Sequence, residues 1–322
     1  MISVVIPTYN VEAYIETCLN SVLSQHDVEL EIIIVDDGST DTTFDIVSRF
    51  ATLHNNIIIV RQANAGPSAA RNTALKYCHG EWIAMVDGDD ILAPDALKKM
   101  LNVTSSYDNI DIVIGKYKSF DQHLNISSKG NSTRPFFLSG RDATEIMLYQ
   151  NKFTDSVIPS SWGKLYHHSV WKNATFTEGV IYEDLHILPR IINSTARIAV
   201  INDVVYGYRR NPDSLLHTFS PQRFDALKAT AELCDYFSND RVLYKAAQSR
   251  RFSAAFNLWL LTIVNTADMP QQLAQCKSIV RTLAWSQIFG RKIRFKNRMG
   301  AILQYVPFIF QSPRFCKIFL AK

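Results

Sequence analysis

Along the first hundred residues, short apolar runs alternate with amphipathic stretches. Ser3–Ile6 is a β-branched run closed by Pro7. Residues 12–25 place Ile15, Cys18, Leu19, Val22 and Leu23 at helical spacing. Leu30–Val35 is almost purely apolar, as in a strand buried on both faces of a parallel sheet. It runs into Asp36-Asp37-Gly38-Ser39-Thr40-Asp41, a loop with a helix N-cap signature. Ile57–Val60 predicts a third strand, and Ser68–Tyr77 a helix after the turn Ala65-Gly66-Pro67-Ser68. Trp82–Val86 predicts a fourth strand, ending at Asp87-Gly88-Asp89-Asp90, and Pro94 begins a further helix. This βαβαβαβ order predicts a Rossmann-like, doubly wound, mostly parallel sheet.

Residues 106–215 are less regular and include a Ser/Asn-rich stretch at 119–134. From about Pro221 the pattern turns helical, with Phe224, Leu227, Leu233 and Phe237 in register and an Ala/Leu-rich run over Phe252–Val264. No internal repeat is present. The pattern divides the chain at 1–105, 106–218 and 219–322, the last part being a C-terminal helical extension.

Composition adds limits. With 322 residues, 47% hydrophobic and 20% charged, the chain can bury a sizeable core and is neither disordered nor a coiled coil. The five cysteines are dispersed and lack a C-x-x-C pair, which argues against a disulfide framework or zinc knuckle and for a reducing cytosol. The first residues, MISVVIPTYN, read as no secretory signal, and no run reaches the roughly 18–20 apolar residues of a membrane span.

Net charge changes the picture more. Beyond Asp268 there are ten cations and no acids, so the tail carries +10 and the rest −6. Residues 291–298, R-K-I-R-F-K-N-R, precede the apolar stretch Ala301–Phe310, the composition of an interfacial membrane anchor. The plainer alternative is a helix docked on the catalytic part with its cations solvated. No nucleic-acid-binding motif accompanies the charge, so nucleic acid is not expected as a partner.

Candidate chemistry sits where such sheets bind ligands, beyond the carboxyl ends of the strands. Three polar loops fall there: Pro7–Asn10, Asp36–Asp41 and Asp87–Asp90. The carboxylates of D-G-D-D are hard oxygen ligands suited to Mg2+ or Mn2+ beside a diphosphate, and Gly88 allows a tight turn; a solvated helix-capping turn is the alternative. Arg71 would project from the first turns of a helix, whose N-terminus favours anions. Glu183-Asp184 interrupts an apolar run and reads either as a helix N-terminal pair or as the home of a general base. His167-His168 lacks a further ligand at metal spacing and reads as a polar helix end.

Together these motifs resemble glycosyltransferase family 2 of the bacterial surface-polysaccharide type. The resemblance rests on V-I-P-T-Y-N at 5–10, V-D-D-G-S-T-D at 35–41, N-A-G-P-S-A-A-R-N at 64–72, D-G-D-D at 87–90, W-G-K-L-Y at 162–166 and E-D-L at 183–185. It covers about residues 1–215 and implies a GT-A fold and inverting transfer from a UDP-sugar. In that frame 1–105 is the nucleotide-sugar-binding half and 106–218 the acceptor-binding half. The resemblance implies that Tyr9 stacks on the base in a pocket lined by Pro7 and Thr8. Asp37 would bind the uracil edge, supported by Asp36, and Arg71 would approach the base or diphosphate. Asp89 would ligate Mn2+ or Mg2+, with Asp87 meeting the ribose or the metal's water and Gly88 between them. Asp184 would be the catalytic base, Glu183 its competitor, and Trp162 and Lys164 would shape the acceptor and sugar side. Tyr206–Ser214 matches the family's Y-x-x-R…S segment loosely, leaving Arg209, Arg210 or His217 to close over the diphosphate or to lie on a surface loop.

The expected activity is therefore transfer of a hexose or N-acetylhexosamine to a lipid-linked oligosaccharide, with a β-linkage formed at the cytoplasmic face of the inner membrane. The product class would be O-antigen, capsule or lipopolysaccharide. A non-catalytic nucleotide-sugar-binding protein and a metal-dependent nucleotidyltransferase are the competing readings. The latter has neither a Walker loop nor a G-x-G-x-x-G here.

Overall fold

The apolar runs at the start of the chain become β1 (Ile2–Thr8), β2 (Leu30–Asp36), β3 (Ile57–Arg61) and β4 (Trp82–Met85). They alternate with α1 (Ile15–Leu23), α2 (Thr43–Leu53) and α3 (Pro67–Leu75). In the computed structural model, which describes residues 1–121, 134–150, 156–211 and 219–320, these strands pair in parallel in the order β3-β2-β1-β4. Every residue of β1 is buried, which explains its unbroken apolar and small composition.

The winding then changes. After β4 come β5 (Ile91–Leu92), α4 (Ala96–Ser106), β6 (Ile112–Phe120), β7 (Phe136–Leu138), α5 (Gly140–Tyr149), β8 (Lys164–His167), α6 (Glu183–Asn193) and β9 (Ile198–Arg209). The short β8 inserts antiparallel between β4 and β6, while β9 runs parallel to β6 and antiparallel to β5 and β7. Four residues of β8, K-L-Y-H, are too few to reveal a strand period, so this insertion escapes sequence patterning.

The chain divides into two compact units. The first comprises Met1–Ala143, Pro159–Gly179 and Arg190–Ser214; the second comprises Thr144–Ile158, Val180–Pro189 and Leu215–Lys322. The first holds the whole sheet. Its core packs Ile2, Val4 and Ile6 with Ile15, Leu19 and Val22 of α1, at the spacing that the sequence shows.

The second unit is helical: α7 (Asp225–Tyr236), α8 (Arg241–Val264), α9 (Pro270–Phe289), α10 (Phe295–Leu303) and α11 (Pro313–Leu320). Phe252, Phe256, Trp259 and Phe310 form one core cluster; Leu148, Leu185, Leu233 and Leu243 form another. The basic segment at 291–298 is partly folded into this unit. Asn297, Ala301 and Phe310 are buried, and Lys292 bridges the Glu145 carboxylate at 2.8 Å. No helix among the described residues is long and apolar enough to cross a membrane.

Candidate active site

Strand register sets the site. Thr8 lies opposite Asp36, and Asp36 opposite Arg61, so β1, β2 and β3 end flush along one edge. Asp36 is fully buried; its Oδ2 accepts from Arg61 Nε at 3.1 Å and from the Ser39 amide at 3.3 Å. Asp37 braces the next loop. Its Oδ1 accepts from Gln62 Nε2 (2.7 Å) and the Ala65 amide (3.0 Å), and its Oδ2 from the Gly66 amide (2.7 Å). One lone pair on Oδ2 is thereby left for a further donor. Gly38 makes this closure possible. Its φ is +75°, and a Cβ there would sit 2.9 Å from the Asn64 amide nitrogen. Tyr9, 47% exposed just past β1, presents an open aromatic ring above the same edge.

The D-G-D-D loop after β4 settles against β1. A Cβ on Gly88 would lie 3.1 Å from Thr8 Cγ2 and 3.2 Å from the Pro7 carbonyl oxygen, so glycine permits the close approach. Arg71, buried in the second turn of α3, donates through Nη2 to Asp87 Oδ1 at 2.7 Å and lies over the Phe176 ring. Asp90 is held from β9: Tyr206 Oη donates to its Oδ2 at 2.8 Å and the Arg209 amide to its Oδ1 at 2.6 Å. Tyr206 Oη also accepts from the Asp87 amide at 3.1 Å, and Arg209 Nε donates to the Asp89 carbonyl at 2.7 Å.

These contacts separate the three carboxylates. Asp87 is paired with Arg71, and Asp90 is fixed by two donors. Among the described residues, the side-chain donor that meets the Asp89 carboxylate is Asn211 Nδ2, at 3.5 Å. Burial, and then the neighbouring Asp87, raises the Asp89 carboxyl above its ordinary range; burial, then Asp87 and Asp89, pushes Asp90 well up. Crowded, desolvated carboxylates of this kind are relieved by a hard cation. Among the described residues no three His, Cys, Asp or Glu side chains converge on a cation position. The carboxylate oxygens of Asp89 and its neighbours are hard donors of the kind that suit Mg2+ or Mn2+.

The other expected residues fall as follows. Trp162 stacks on Tyr206 (centroids 4.6 Å apart) and on Tyr208 (5.5 Å), with Tyr117 edge-on at 5.0 Å. Lys164 is buried and donates to the Ser160 carbonyl at 2.7 Å, tying down the turn that carries Trp162. Glu183 and Asp184 open α6, immediately after Tyr182, whose φ is +66°. They belong to the second unit, whereas the strand-end loops belong to the first. Arg210 pairs with Asp121 at the surface, and His217 lies outside the described residues.

Sequence reasoning missed Asp90, Tyr206 and the inward turn of Arg209. The partners are separated by 116 and 119 residues, and only the β5–β9 pairing, which sets Leu92 opposite Tyr206, joins them. The one available signal was the loose Y-x-x-R match at 206–209.

Comparison with known proteins bears on the family and the fold. Residues 3–172 match the family described as "Glycosyl transferase family 2". The chain is 31% identical over 229 residues to glycosyltransferase GlyA of Streptococcus pneumoniae serotype 4, covering 70% of this chain and 33% of that one. It is 32% identical over 229 residues to glycosyltransferase GlyG of the same organism, covering 68% of this chain and 73% of that one. It thus spans a third of the first relative and about three quarters of the second. In fold it is similar to S. aureus TarS 1-349 in complex with UDP-GlcNAc, with TM-score 0.71, 20% identity and coverage of 99% of this chain and 90% of that one. It is also similar to the mannosyltransferase PcManGT from Pyrobaculum calidifontis in complex with GDP-Man and Mn2+, with TM-score 0.52, 18% identity and coverage of 95% and 86%. With a family match across more than half its length and a relative 32% identical that covers 68% of it, this chain belongs to glycosyl transferase family 2.

Proposed function

We propose that the chain is an inverting transferase that moves a hexose or N-acetylhexosamine from a UDP-sugar to a hydroxyl of a lipid-linked oligosaccharide. The product class is a bacterial surface polysaccharide such as O-antigen, capsule or lipopolysaccharide. The observation that carries the reading is the D-G-D-D loop, with Asp89 and Asp90 withdrawn from water, set against the Pro7–Tyr9 and Asp36–Asp37 strand ends. The UDP-GlcNAc complex of TarS and the GDP-Man and Mn2+ complex of PcManGT support a nucleotide-sugar donor and a divalent metal.

In this mechanism Tyr9 stacks on the base above Pro7 and Thr8. Asp37 accepts from the uracil edge, and Asp36 holds the loop through Arg61 and Ser39. Arg71 fixes Asp87 toward the ribose, with Gly88 admitting the nucleotide, and Asp89 is the carboxylate that would hold Mn2+ or Mg2+. The metal, when bound, offsets the charge that develops on the diphosphate leaving group. Asp184 takes the proton from the acceptor hydroxyl, with Glu183 beside it. Trp162 and its tyrosine neighbours offer aromatic surface on the sugar side, and Lys164 keeps Trp162 in place. One base and an in-line displacement invert the anomeric centre, so an α-linked donor gives a β-linkage.

The experiment is transfer by Asp184→Asn with UDP affinity measured in parallel. Loss of a general base predicts transfer slower by about 10²–10⁴-fold with UDP binding retained. Transfer at the parental rate would refute the assignment of Asp184.

The inner-membrane surface, at the cytoplasmic face, is the proposed partner of the basic tail. Lys277, Arg281, Trp285 and Phe289 recur every four residues along α9, and all four are exposed. Trp285 and Phe289 stack at 5.8 Å, and Phe295 is exposed just beyond the turn. Aromatic rings at headgroup depth beside cations, with no acid after Asp268, suit an anionic bilayer, where each cation contributes about 1 kcal/mol.

A further inference from the structure

The second unit holds a pair of inward-turned cations that the mechanism above does not use. Arg250 lies on α8, and Arg294 immediately precedes α10. Arg250 keeps a partial opening to solvent, while its Nε is sealed off and makes no hydrogen bond. Arg294 Nη1 donates to Gln150 Oε1, which also accepts from Ser253 Oγ, one helical turn along α8 from Arg250, at 3.2 Å. Among the described residues neither guanidinium has a carboxylate within ion-pair distance. Burial, and then the like charge of Arg294, lowers Arg250 to about 10. Burial, and more weakly Asp225, raises the Tyr182 hydroxyl, while a third guanidinium, the buried Arg223, acts with Arg250 to lower it.

A guanidinium withdrawn from water with no anion beside it destabilises the fold that carries it. The like charge of Arg294, linked through Gln150 to the helix that carries Arg250, adds repulsion. Their planar forks match phosphate oxygens, and the partial opening at Arg250 leaves a route for a ligand. We propose that Arg250 and Arg294, flanked by Arg223, bind a phosphate or diphosphate group of the acceptor beside the Tyr182–Asp184 segment. The assignment to the acceptor rests on the lipid-linked reading given above; the anion site itself does not.

The test is thermal unfolding of the whole chain with UDP present at saturation, so that the donor site is filled. Inorganic pyrophosphate and farnesyl diphosphate are then added in separate titrations to the parent and to R250M and R294Q. Both ligands should raise the melting temperature of the parent, as any ligand of the native state does. Each variant should bind at least about tenfold more weakly, and without ligand should melt no lower than the parent, because an uncompensated charge has gone. A rise given by pyrophosphate alone, and lost in the variants, would uphold the anion site and remove the lipid-linked acceptor. No rise in the parent, or an equal rise in both variants, would overturn the proposal. So would ligand-free variants that melt well below the parent, since that outcome assigns the arginines to the fold. R294Q changes the more accessible of the two and keeps the test open if R250M fails to fold.

Discussion

Removing one oxygen from Tyr206 should loosen the whole carboxylate loop. The ring is fully buried and stacked on Trp162 at 4.6 Å, so Tyr206→Phe keeps the packing. It deletes the bond to Asp90 Oδ2 (2.8 Å) and the acceptor for the Asp87 amide (3.1 Å). A buried group left without its partner costs about 1–3 kcal/mol, toward the lower end where the loop relaxes, so the loss of two should be about 2–4 kcal/mol. At about 2–4 °C per kcal/mol for a domain of 150–250 residues, the first unit should melt about 4–16 °C lower. Calorimetry and urea unfolding measure this directly, with exposed Tyr77→Phe as a control expected within about 0.5 kcal/mol of the parent. Since Asp87 and Asp89 ride on the same loop, UDP affinity in Mn2+ should fall too. A Tyr206→Phe protein indistinguishable from the control in melting and urea midpoint would refute the view that β9 clamps this loop.

Other perturbations probe separate parts of the argument. Glu31 gathers the Ser3 hydroxyl and the amides of His79 and Gly80. Burial alone would raise its carboxyl, but these bonds outweigh burial and hold it below the ordinary 4.5. Its folded value is depressed, so its contribution is complete above the unfolded value and fades as pH falls through the folded one. Glu31→Gln should therefore cost about 1–3 kcal/mol at pH 7, and the gap should shrink on acidification; a gap in urea midpoint that widened would contradict this. Gly38→Ala should cost more than about 1 kcal/mol and weaken UDP binding, because the left-handed backbone and the Asn64 amide leave no room for a methyl group. Unchanged melting and UDP affinity would rule that out. The Trp285→Ala/Phe289→Ala pair should sediment less with anionic vesicles than the parent; equal sedimentation would exclude the α9 face as the contact.

The parallel half of the sheet was legible because each strand is a short, nearly pure apolar run punctuated by Gly, Pro or Asp, and a strand buried on both faces admits little else. The strand-end loops were legible for a related reason. A polar cluster directly after such a run must lie at the sheet's carboxyl edge. The tail's charge was plain in the sequence, but which of its aromatic residues face outward was not. Phe310 is buried and Phe295 exposed, although both sit in the same basic, apolar stretch.

The sequence by itself thus determined the element order of the first hundred residues and the residue types offered at their strand ends. Local period and punctuation carry that much. Only the tertiary structure decided which carboxylate is bound to what: Asp87 to Arg71, Asp90 to Tyr206 and Arg209, and Asp89 left nearly without a side-chain partner. It also turned Lys164 inward to a carbonyl and, among the described residues, left Arg250 and Arg294 with no carboxylate at ion-pair distance. The carboxylate assignments depend on residues 16 to 122 positions apart meeting in space, and on how far water is excluded where they meet. Neither quantity has a signature along the chain.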